Sequence, residues 1–144
     1  MEKTLLKNQL CFKLYALSRQ VTALYRPLLE ELDLTYPQYL VMLVLEEASC
    51  VSVKALGDVL YLDSGTLTPL LKRLEQKGLI ARRRNQEDER QVLITLTEQG
   101  QQKQQQARCL SGKLARETRL SAPQYASLHE LIDKMLNQLD EVES

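Results

Sequence analysis

The chain has 144 residues, of which 44% are hydrophobic and 26% charged, and its 19 basic and 19 acidic residues give a formal net charge of zero. This length suits one folded domain, and a single Phe with no Trp favours an aliphatic, helix-rich core. No apolar run reaches the roughly 20 residues that cross a bilayer, and lysines interrupt any signal-peptide core, so we expect a cytoplasmic protein without a membrane partner. Three cysteines without a close pair and one histidine predict neither a disulfide framework nor a metal site, and no cofactor is expected.

The neutral total argues against a nucleic-acid partner, but the charges are unevenly distributed. Five Lys or Arg and one acid give residues 1–27 a charge of +4, whereas one Lys and seven acids give residues 28–63 a charge of −6. Residues 72–90 hold seven Lys or Arg and four acids, a charge of +3, and residues 97–144 come to −1. A basic patch around RLEQKGLIARRR can therefore bind phosphates even in a neutral chain.

The first predicted element is a long helix over residues 5–30 that carries two adjacent stripes. One stripe consists of Leu10, Leu14, Leu17, Val21, Leu24 and Leu28. The other consists of Cys11, Tyr15, Ser18, Thr22 and Tyr25. Cys11 and Tyr25 are therefore expected on the same face of one helix.

Two shorter helices follow, each with a capping signal at its start. Thr35 and Gln38 form a capping-box pattern for a helix from about Tyr36 to Glu47, and Pro37 fits its first turn. Its predicted inward residues are Tyr36, Leu40, Leu43 and Val44. After a short strand at residues 50–51, Ser52 can cap a third helix that ends near Leu60. The residues predicted to face inward from this helix are Leu56, Val59 and Leu60.

The sequence does not settle where the fourth helix begins, but it does predict where the helix ends. Asp63, Ser64 and Thr66 are alternative N-caps, and an early start places Pro69 beyond the first turn, where it removes a hydrogen bond. Gly78 ends the helix, whose buried face is predicted to be Leu67, Leu70, Leu71 and Leu74. The runs LIARRR and RQVLITLT, joined by polar residues, then predict a β-hairpin whose return strand starts at Arg90.

The remaining residues predict two helices. Thr97 begins one that continues through a glutamine-rich, solvated stretch to Ala107, Leu110 and Leu114. Ser121 and Gln124 repeat the capping-box pattern before the last helix. Its apolar residues are Leu128, Leu131, Ile132, Met135, Leu136, Leu139 and Val142. The order of elements predicts a mainly α fold with a small β-hairpin wing, namely a winged helix-turn-helix.

The middle of the chain has the features of a DNA-binding element. SGTLTPLLKRLEQKG offers a helix whose first turn carries small hydroxyl side chains that can approach bases or phosphates. Basic side chains lie further along this helix and in the hairpin, where Asp88 could hold the guanidinium of Arg90. The predicted DNA-binding residues are Ser64, Thr66, Thr68, Lys72, Arg73, Arg82, Arg83, Arg84, Asp88 and Arg90. The alternative is a solvated hairpin beside a capped helix, but a groove-sized helix followed by an arginine-rich wing favours DNA.

The segments KALGDVLYLDSGTLTPLLKRLEQKGLIARRR and DERQVLITLTEQG resemble the winged-helix core of the MarR (multiple-antibiotic-resistance regulator) family. More specifically, QLCFKLYALSR, LYRPLLEELDLTYPQYLVMLVL and YLDSGTLTPLLKRLE are similar to the OhrR-type repressors that respond to organic hydroperoxides. The resemblance covers about residues 5–100. It implies that Arg90 enters the minor groove of double-stranded DNA at a pseudo-palindromic operator and that Asp88 braces it.

Cys11 is the candidate redox-sensing residue. Cys11 and Tyr25 are 14 residues apart, about 21 Å along one helix, so they cannot touch within it. If two first helices packed antiparallel in a homodimer, Tyr25 of one chain could reach Cys11 of the other. The resemblance implies that hydroxyls of Tyr25 and Tyr36 meet the cysteine of the opposite protomer, and Tyr15 should line the same pocket. Hydroxyl donors favour the thiolate that attacks a peroxide, whereas the alternative is an inert, packed cysteine.

The expected assembly is a helical homodimer of one MarR-like domain covering residues 1–144. Residues 1–30 and 98–144 are predicted to form the dimerisation helices, and residues 31–97 the DNA-binding region. The long apolar faces of the terminal helices give a reason to dimerise.

Two departures from the OhrR-type pattern concern the sensor. Glu46 stands where members often have Trp, and Arg116 stands where some have a resolving cysteine. Cys109 lies about two turns earlier and could still act as the resolving cysteine if the helix shifts, but we favour a one-cysteine sensor that takes a small thiol as its partner. Cys50 is expected to pack in the core.

Two other functions compete with a peroxide-sensing repressor. One is a MarR-like repressor released by a small phenolic ligand, with Cys11 incidental. The other is a thiol peroxidase that uses Cys11 as its nucleophile. The sequence places no Arg or His near Cys11, and an enzyme has no use for a basic wing, so we expect a protein that is not an enzyme.

Overall fold

The computed structural model describes residues 5 and 8–143, which divide into a unit ending at Leu110 and a unit beginning at Ser111. The first unit contains α1 (Leu10–Glu31), α2 (Tyr36–Ala48), β1 (Cys50–Ser52), α3 (Val53–Leu60), α4 (Ser64–Gln76), β2 (Ile80–Arg84), β3 (Val92–Leu96), α5 (Glu98–Gln106) and a 3-10 helix (Ala107–Leu110). The second contains α6 (Lys113–Thr118) and α7 (Ala122–Glu143). Among the helices described, none is both long and apolar enough to span a membrane.

A tight junction connects α1 to α2. Asp33 has a left-handed backbone (φ 55°), which lets the amide of Leu34 donate to the carbonyl of Leu29 at 2.9 Å. The predicted capping box is confirmed: Thr35 Oγ1 accepts from the amide of Gln38, and Gln38 Oε1 accepts from the amide of Thr35. The predicted beginning of α1 includes residues 6 and 7, which lie outside the described residues.

The buried face of α2 differs from the prediction. Its buried apolar residues are Tyr39, Val41, Met42 and Leu45. The predicted inward residues Tyr36, Leu40, Leu43 and Val44 are only partly buried. Every residue from 39 to 45 is apolar, so helical spacing alone did not define one face, and the packing of the neighbouring elements decides it.

The helices α3 and α4 form the helix-turn-helix. Ser52 caps α3, and Asp63 caps α4 by accepting the amide of Thr66 at 2.8 Å, which resolves the open start and leaves Pro69 inside the helix. A Cβ at Gly57 would lie 2.9 Å from the carbonyl oxygen of Leu62, so the close turn after α3 favours glycine there. In α3 only Leu56 and Gly57 are buried, and the prediction for Val59 was wrong because it lies on the outward face of this short helix.

The wing belongs to a three-stranded antiparallel sheet in the order β1-β3-β2. The central strand β3 pairs Ile94 with Val51 of β1 and with Arg82 of β2. The predicted mainly α architecture with a small wing is confirmed, and β1 adds a third strand. Arg90 does not start the return strand as predicted; it lies in the preceding turn, since β3 begins at Val92.

The predicted helix from Thr97 to Leu114 is interrupted. Thr97 caps α5 as expected, but a 3-10 turn follows at Ala107, and Gly112 takes a left-handed conformation (φ 75°) before α6. The glutamine-rich stretch is not wholly solvated, because Gln104 is 2% exposed. In the second unit the capping box of Ser121 and Gln124 is confirmed at the start of α7, and the side chain of Val142 lies outside the described set.

Candidate DNA interface and thiol site

The first turn of α4 presents small polar side chains at the protein surface. Ser64, Thr66 and Thr68 are exposed, as are Lys72 and Arg73 one to two turns later. Hydrogen bonding to Thr66, through its side chain and its backbone amide, lowers the pKa of Asp63. The Asp63 carboxylate therefore stays ionised at the N-terminus of α4, where it fixes the geometry of the exposed turn.

The arginines of the wing have different environments. Arg82 forms a two-point ion pair with Glu75, whose carboxylate raises the pKa of Arg82 while the guanidinium lowers that of Glu75. Arg84 donates from Nη1 to the carbonyl of Glu89 at 2.9 Å, and Arg83 is exposed. Arg82 is therefore paired with a carboxylate of the protein, whereas Arg83 faces solvent.

Asp88 and Arg90 are in contact at the tip of the wing. Asp88 Oδ1 accepts from both the backbone amide and Nε of Arg90, each at 3.2 Å. The side chain of Arg90 is 91% exposed, so the carboxylate orients a guanidinium that otherwise extends into solvent. This contact matches the brace inferred from the sequence resemblance.

A cleft of about 370 Å³ brings several predicted residues together between the helix-turn-helix and the wing. Its lining includes Thr68, Arg82 and Arg90. It also includes Lys54, an exposed cation in the first turn of α3 that was not among the predicted DNA-binding residues. The available signal was its position in the first helix of a helix-turn-helix, which crosses the DNA backbone in such proteins.

Cys11 does not meet Tyr25 within one chain. Cys11 is exposed, and among the described residues its thiol donates a long hydrogen bond of 3.8 Å to Gln9 Oε1. Tyr15 is 62% exposed, with the guanidinium carbon of Arg19 5.8 Å from its ring centroid. Cys11 and Tyr25 are separated by about four turns of α1, or about 21 Å.

Tyr25, Tyr36 and Tyr39 form an aromatic cluster at the α1–α2 junction. The ring centroids of Tyr25 and Tyr36 lie 5.4 Å apart, and Tyr39 lies 6.4 Å from Tyr25 and 6.2 Å from Tyr36. Burial raises the pKa of Tyr36, and Tyr25 raises it further. Burial likewise raises the pKa of Tyr39, with smaller contributions from its tyrosine neighbours, Cys109 and Glu46. Tyr36 and Tyr39 therefore remain protonated donors at neutral pH.

The other two cysteines are both exposed. The prediction that Cys50 packs in the core was wrong, because side chains alternate along β1 and Val51 is the buried residue. Cys109 lies in the 3-10 helix, where its thiol donates to the carbonyl of Gln106 at 3.5 Å.

Comparison with known proteins identifies the family. A profile described as "Transcriptional regulator SarA/Rot" matches residues 23–107. The organic hydroperoxide resistance transcriptional regulator of Bacillus subtilis (strain 168) is 63% identical over 95 residues, which are 66% of this chain and 65% of that protein. Mutant MarR from E. coli, complexed with operator DNA, has a TM-score of 0.78 and 32% identity, covering 85% of this chain and 90% of that chain. The chain belongs to the MarR-type family of winged-helix transcriptional regulators.

A third relative combines this fold with redox states. AbfR of Staphylococcus epidermidis is 41% identical, with a TM-score of 0.77 and 97% coverage of both chains. Other solved structures are of reduced AbfR bound to DNA, overoxidised AbfR bound to DNA, and disulfide-formed AbfR. The predicted MarR family and its organic-hydroperoxide branch are confirmed by these similarities.

This MarR-type chain has an ion-pair cluster where Glu46 departs from the branch. Glu46 accepts from Arg108 Nη2 at 2.8 Å and from Gln104 Nε2 at 3.0 Å, and these bonds, first that of Arg108, lower the pKa of Glu46. The cluster ties the end of α2 to α5 and the 3-10 helix beside a cleft of about 260 Å³. Its members are 58 and 62 residues apart along the chain, so no local pattern predicted it.

Both units leave apolar helix faces exposed in the single MarR-type chain. In α1 these residues are Leu10, Phe12, Leu14 and Leu17. In α7 they are Leu128, Leu131, Met135, Leu136 and Leu139. Contiguous apolar faces of this kind mark surfaces that bind another protein chain.

Proposed function

We propose that the protein is a DNA-binding transcriptional repressor that senses organic hydroperoxides by oxidation of Cys11 and then releases its operator. The stacked Tyr25–Tyr36 pair carries this proposal. It lies at the opposite end of α1 from Cys11, so an antiparallel pair of α1 helices brings each tyrosine pair to the thiol of the partner. The name of the B. subtilis relative and the redox states of AbfR support the same function.

The proposed partner is double-stranded DNA at a pseudo-palindromic operator, bound by a homodimer. Each α4 enters a major groove with its hydroxyl-bearing first turn, and each Arg90, braced by Asp88, enters a flanking minor groove. Lys72, Arg73, Arg83 and Arg84 supply phosphate contacts. The helix-turn-helix and wing within residues 31–97 form the DNA-binding region of one domain, and residues 1–30 and 98–144 form the dimerisation helices.

The sensing step is a thiolate oxidation. Hydroxyls of Tyr25 and Tyr36 stabilise the Cys11 thiolate, and Tyr15 lines the same pocket. The sulfur attacks the terminal oxygen of the hydroperoxide, an S–O bond forms as the O–O bond breaks, and the leaving alkoxide takes a proton from water. Sulfur loses two electrons to become a sulfenic acid, and the peroxide is reduced to an alcohol. A small thiol then condenses with the sulfenic acid, giving a mixed disulfide and water.

In this proposal the protein acts in the cytoplasm as a regulator and not as an enzyme. Each protomer is oxidised once, at Cys11, and does not turn over peroxide repeatedly. The result of that oxidation is a change in the affinity for DNA. Sustained peroxide turnover with a dithiol reductant would instead support a thiol peroxidase. Release of DNA by a phenolic compound without oxidation would support a ligand-responsive repressor.

A mobility-shift assay tests the proposal, using a duplex that the reduced protein selects from a randomised library. Cumene hydroperoxide should release the wild-type protein and the matched controls Cys50→Ser and Cys109→Ser. Cys11→Ser should bind equally well and stay bound. Mass spectrometry should locate the added oxygen or mixed disulfide on Cys11. Modification of Cys50 or Cys109 while Cys11 remains reduced would contradict the assignment.

A further inference from the structure

Lys77 connects the end of the recognition helix to the α1–α2 junction. Its ammonium donates to the side-chain oxygen Oε1 of Gln38 at 3.2 Å and to the backbone carbonyl of Asp33. The same nitrogen lies 3.6 Å from the carboxylate of Asp33, and the side chain is 30% exposed. One cation therefore joins two acceptors that belong to the ends of two different helices.

The position of Lys77 is fixed by α4. Its backbone amide donates to the carbonyl of Arg73 at 3.1 Å, which closes the last turn of the helix. Gly78 follows with a left-handed backbone that ends α4 and turns the chain toward β2. The Lys77 side chain is therefore anchored at the C-terminus of α4.

The two residues that accept from Lys77 are held in place at the α1–α2 junction. Gln38 is 3% exposed, and the oxygen that accepts from Lys77 also accepts from the amide of Thr35 in the capping box. Asp33 has the left-handed conformation that ends α1. A movement of the junction that keeps both hydrogen bonds to this buried oxygen therefore carries the Lys77 ammonium with it.

The tyrosine pair brackets this junction. Tyr25 lies in the second half of α1, and Tyr36 is the first residue of α2, between Thr35 and Gln38 of the capping box. Their rings are stacked, so a movement of one ring is passed by contact to the helix that carries the other ring.

We propose that Lys77 is a positioning residue that transmits movement of the Tyr25–Tyr36 pair to the recognition helix through Gln38 and Asp33. This regulatory role rests on the proposed function, in which those tyrosines respond to the oxidation of Cys11. The contacts of Lys77 form a polar bridge between the α1–α2 junction and α4. Through this bridge the position of α4 depends on the position of the junction.

The first test compares DNA affinity before and after cumene hydroperoxide, using the selected duplex. Lys77→Met should reduce the ratio of reduced to oxidised affinity by about fivefold or more, because coupling between two sites commonly has that size. The rate of Cys11 oxidation should not change. Lys103→Met, which removes a cation from α5, is the matched control and should keep the wild-type ratio.

Two variants of the junction separate coupling from simple loss of a helix cap. Gln38→Glu retains an acceptor for both Lys77 and the Thr35 amide, so it should preserve the ratio. Thr35→Val removes a capping hydrogen bond without touching Lys77, so it should lower the thermal midpoint but leave the ratio intact. An unchanged ratio in Lys77→Met, or equal weakening of both redox states, would overturn the proposed bridge.

A second measurement does not depend on peroxide. Hydrogen–deuterium exchange of the α4 amides is compared in the reduced, DNA-free protein for wild type, Tyr36→Ala, Lys77→Met and the double variant. Tyr36→Ala should accelerate exchange in the wild-type background and have no further effect in Lys77→Met. Equal acceleration in both backgrounds, or none in either, would contradict the bridge. If wild-type protein ignores peroxide but the exchange data show coupling, the proposed function fails while the bridge stands.

Discussion

Glu75 and Arg82 form a two-point ion pair that joins the last turn of α4 to the third residue of β2. Arg82 Nε lies 3.1 Å from Glu75 Oε2, and Nη2 lies 3.0 Å from Oε1. A guanidinium and a carboxylate match in this fork geometry, so the pair has a defined orientation. The pair fixes the angle between α4 and β2, the two elements that are proposed to contact DNA. It also neutralises Arg82, which could otherwise bind a phosphate.

The ion pair predicts how DNA affinity depends on salt. The double variant Glu75→Gln/Arg82→Gln removes one charge of each sign, so we expect weaker binding with an unchanged slope of log affinity against log salt. Arg83→Gln removes a free cation and should lower the slope by about 1. Fluorescence anisotropy over a range of KCl concentrations measures both effects. A slope lowered by about 1 in the double variant would mean that Arg82 leaves Glu75 to bind a phosphate.

The wing tip predicts a specific loss of affinity. Arg90→Ala should cost about 1–3 kcal/mol of DNA binding, the size of a single specific contact. Asp88→Ala should cost less, since the cation remains but loses its brace. Glu87→Ala is the matched control in the same turn and should bind as well as wild type or better. Unchanged affinity and salt slope in Arg90→Ala would remove the wing from the mechanism.

The lowered pKa of Glu46 predicts a pH-dependent stability. The bonds from Arg108 and Gln104 place this pKa below the usual value of 4.5. The pair therefore stabilises the fold fully above that pH, and the contribution is lost as the pH falls through the folded-state pKa. Because Arg108 is largely exposed, screening limits the effect, and Glu46→Gln should lower the free energy of unfolding by about 0.5–1 kcal/mol at pH 7.

Urea denaturation at fixed protein concentration measures the effect of Glu46→Gln at pH 7 and at steps below 4.5. The difference from wild type should shrink in acid. Glu47→Gln changes the adjacent exposed glutamate, which makes no ion pair or hydrogen bond with the residues that the structure describes, and should show little difference at any pH. A loss that persists undiminished in acid would assign the effect to packing and not to charge.

The tyrosine cluster predicts different effects for similar substitutions. Tyr25→Phe and Tyr36→Phe remove the hydroxyls proposed to stabilise the Cys11 thiolate, so both should slow oxidation. Tyr39→Phe removes a hydroxyl from the same cluster, but the proposed sensing step gives that hydroxyl no contact with Cys11. It should therefore oxidise at the wild-type rate. Stopped-flow measurement of thiol loss distinguishes the three variants, and equal slowing in all three would point to general disruption of the cluster.

The apolar face of α7 predicts an obligate dimer. Leu131 is 60% exposed in the single chain, so Leu131→Glu places an unpaired charge in the proposed interface. Burying this charge should reduce the free energy of dimerisation by about 3 kcal/mol or more, which corresponds to a dimer at least 100-fold weaker. Asn137 lies on the opposite face of α7 at 100° per residue, and Asn137→Glu is the matched control. Analytical ultracentrifugation at micromolar concentration decides, and a monomeric wild-type protein would also exclude the cross-chain contact of Cys11 with Tyr25.

Features encoded by neighbouring residues were predicted well from the sequence. The capping boxes at Thr35 and Ser121 and the contact of Asp88 with Arg90 each depend on residues two or three positions apart. Local propensity and hydrogen-bonding geometry determine these features without help from the rest of the fold. The end of α4 at Gly78 belongs to the same class.

Features that depend on distant residues were not predictable in the same way. The burial of Gln104, the exposure of Cys50 and the inward face of α2 follow from which elements pack together. The bridges of Glu46 to Arg108 and of Lys77 to Gln38 join residues far apart in the chain. The meeting of Cys11 with the tyrosines requires a second protomer, so it stays a prediction.

The proline inside α4 affects the part of this helix that would face a base pair. Pro69 has no amide hydrogen, so it cannot donate to the carbonyl of Gly65 in the exposed first turn. In solution water can hydrate that oxygen. When the helix enters the major groove, this oxygen loses its hydrating water, and it stays unpaired unless a hydrogen-bond donor faces it. The amino groups of cytosine and adenine are the major-groove donors, so the main chain itself gives this surface a preference among bases, and replacing Pro69, which restores the missing amide donor, would remove that preference.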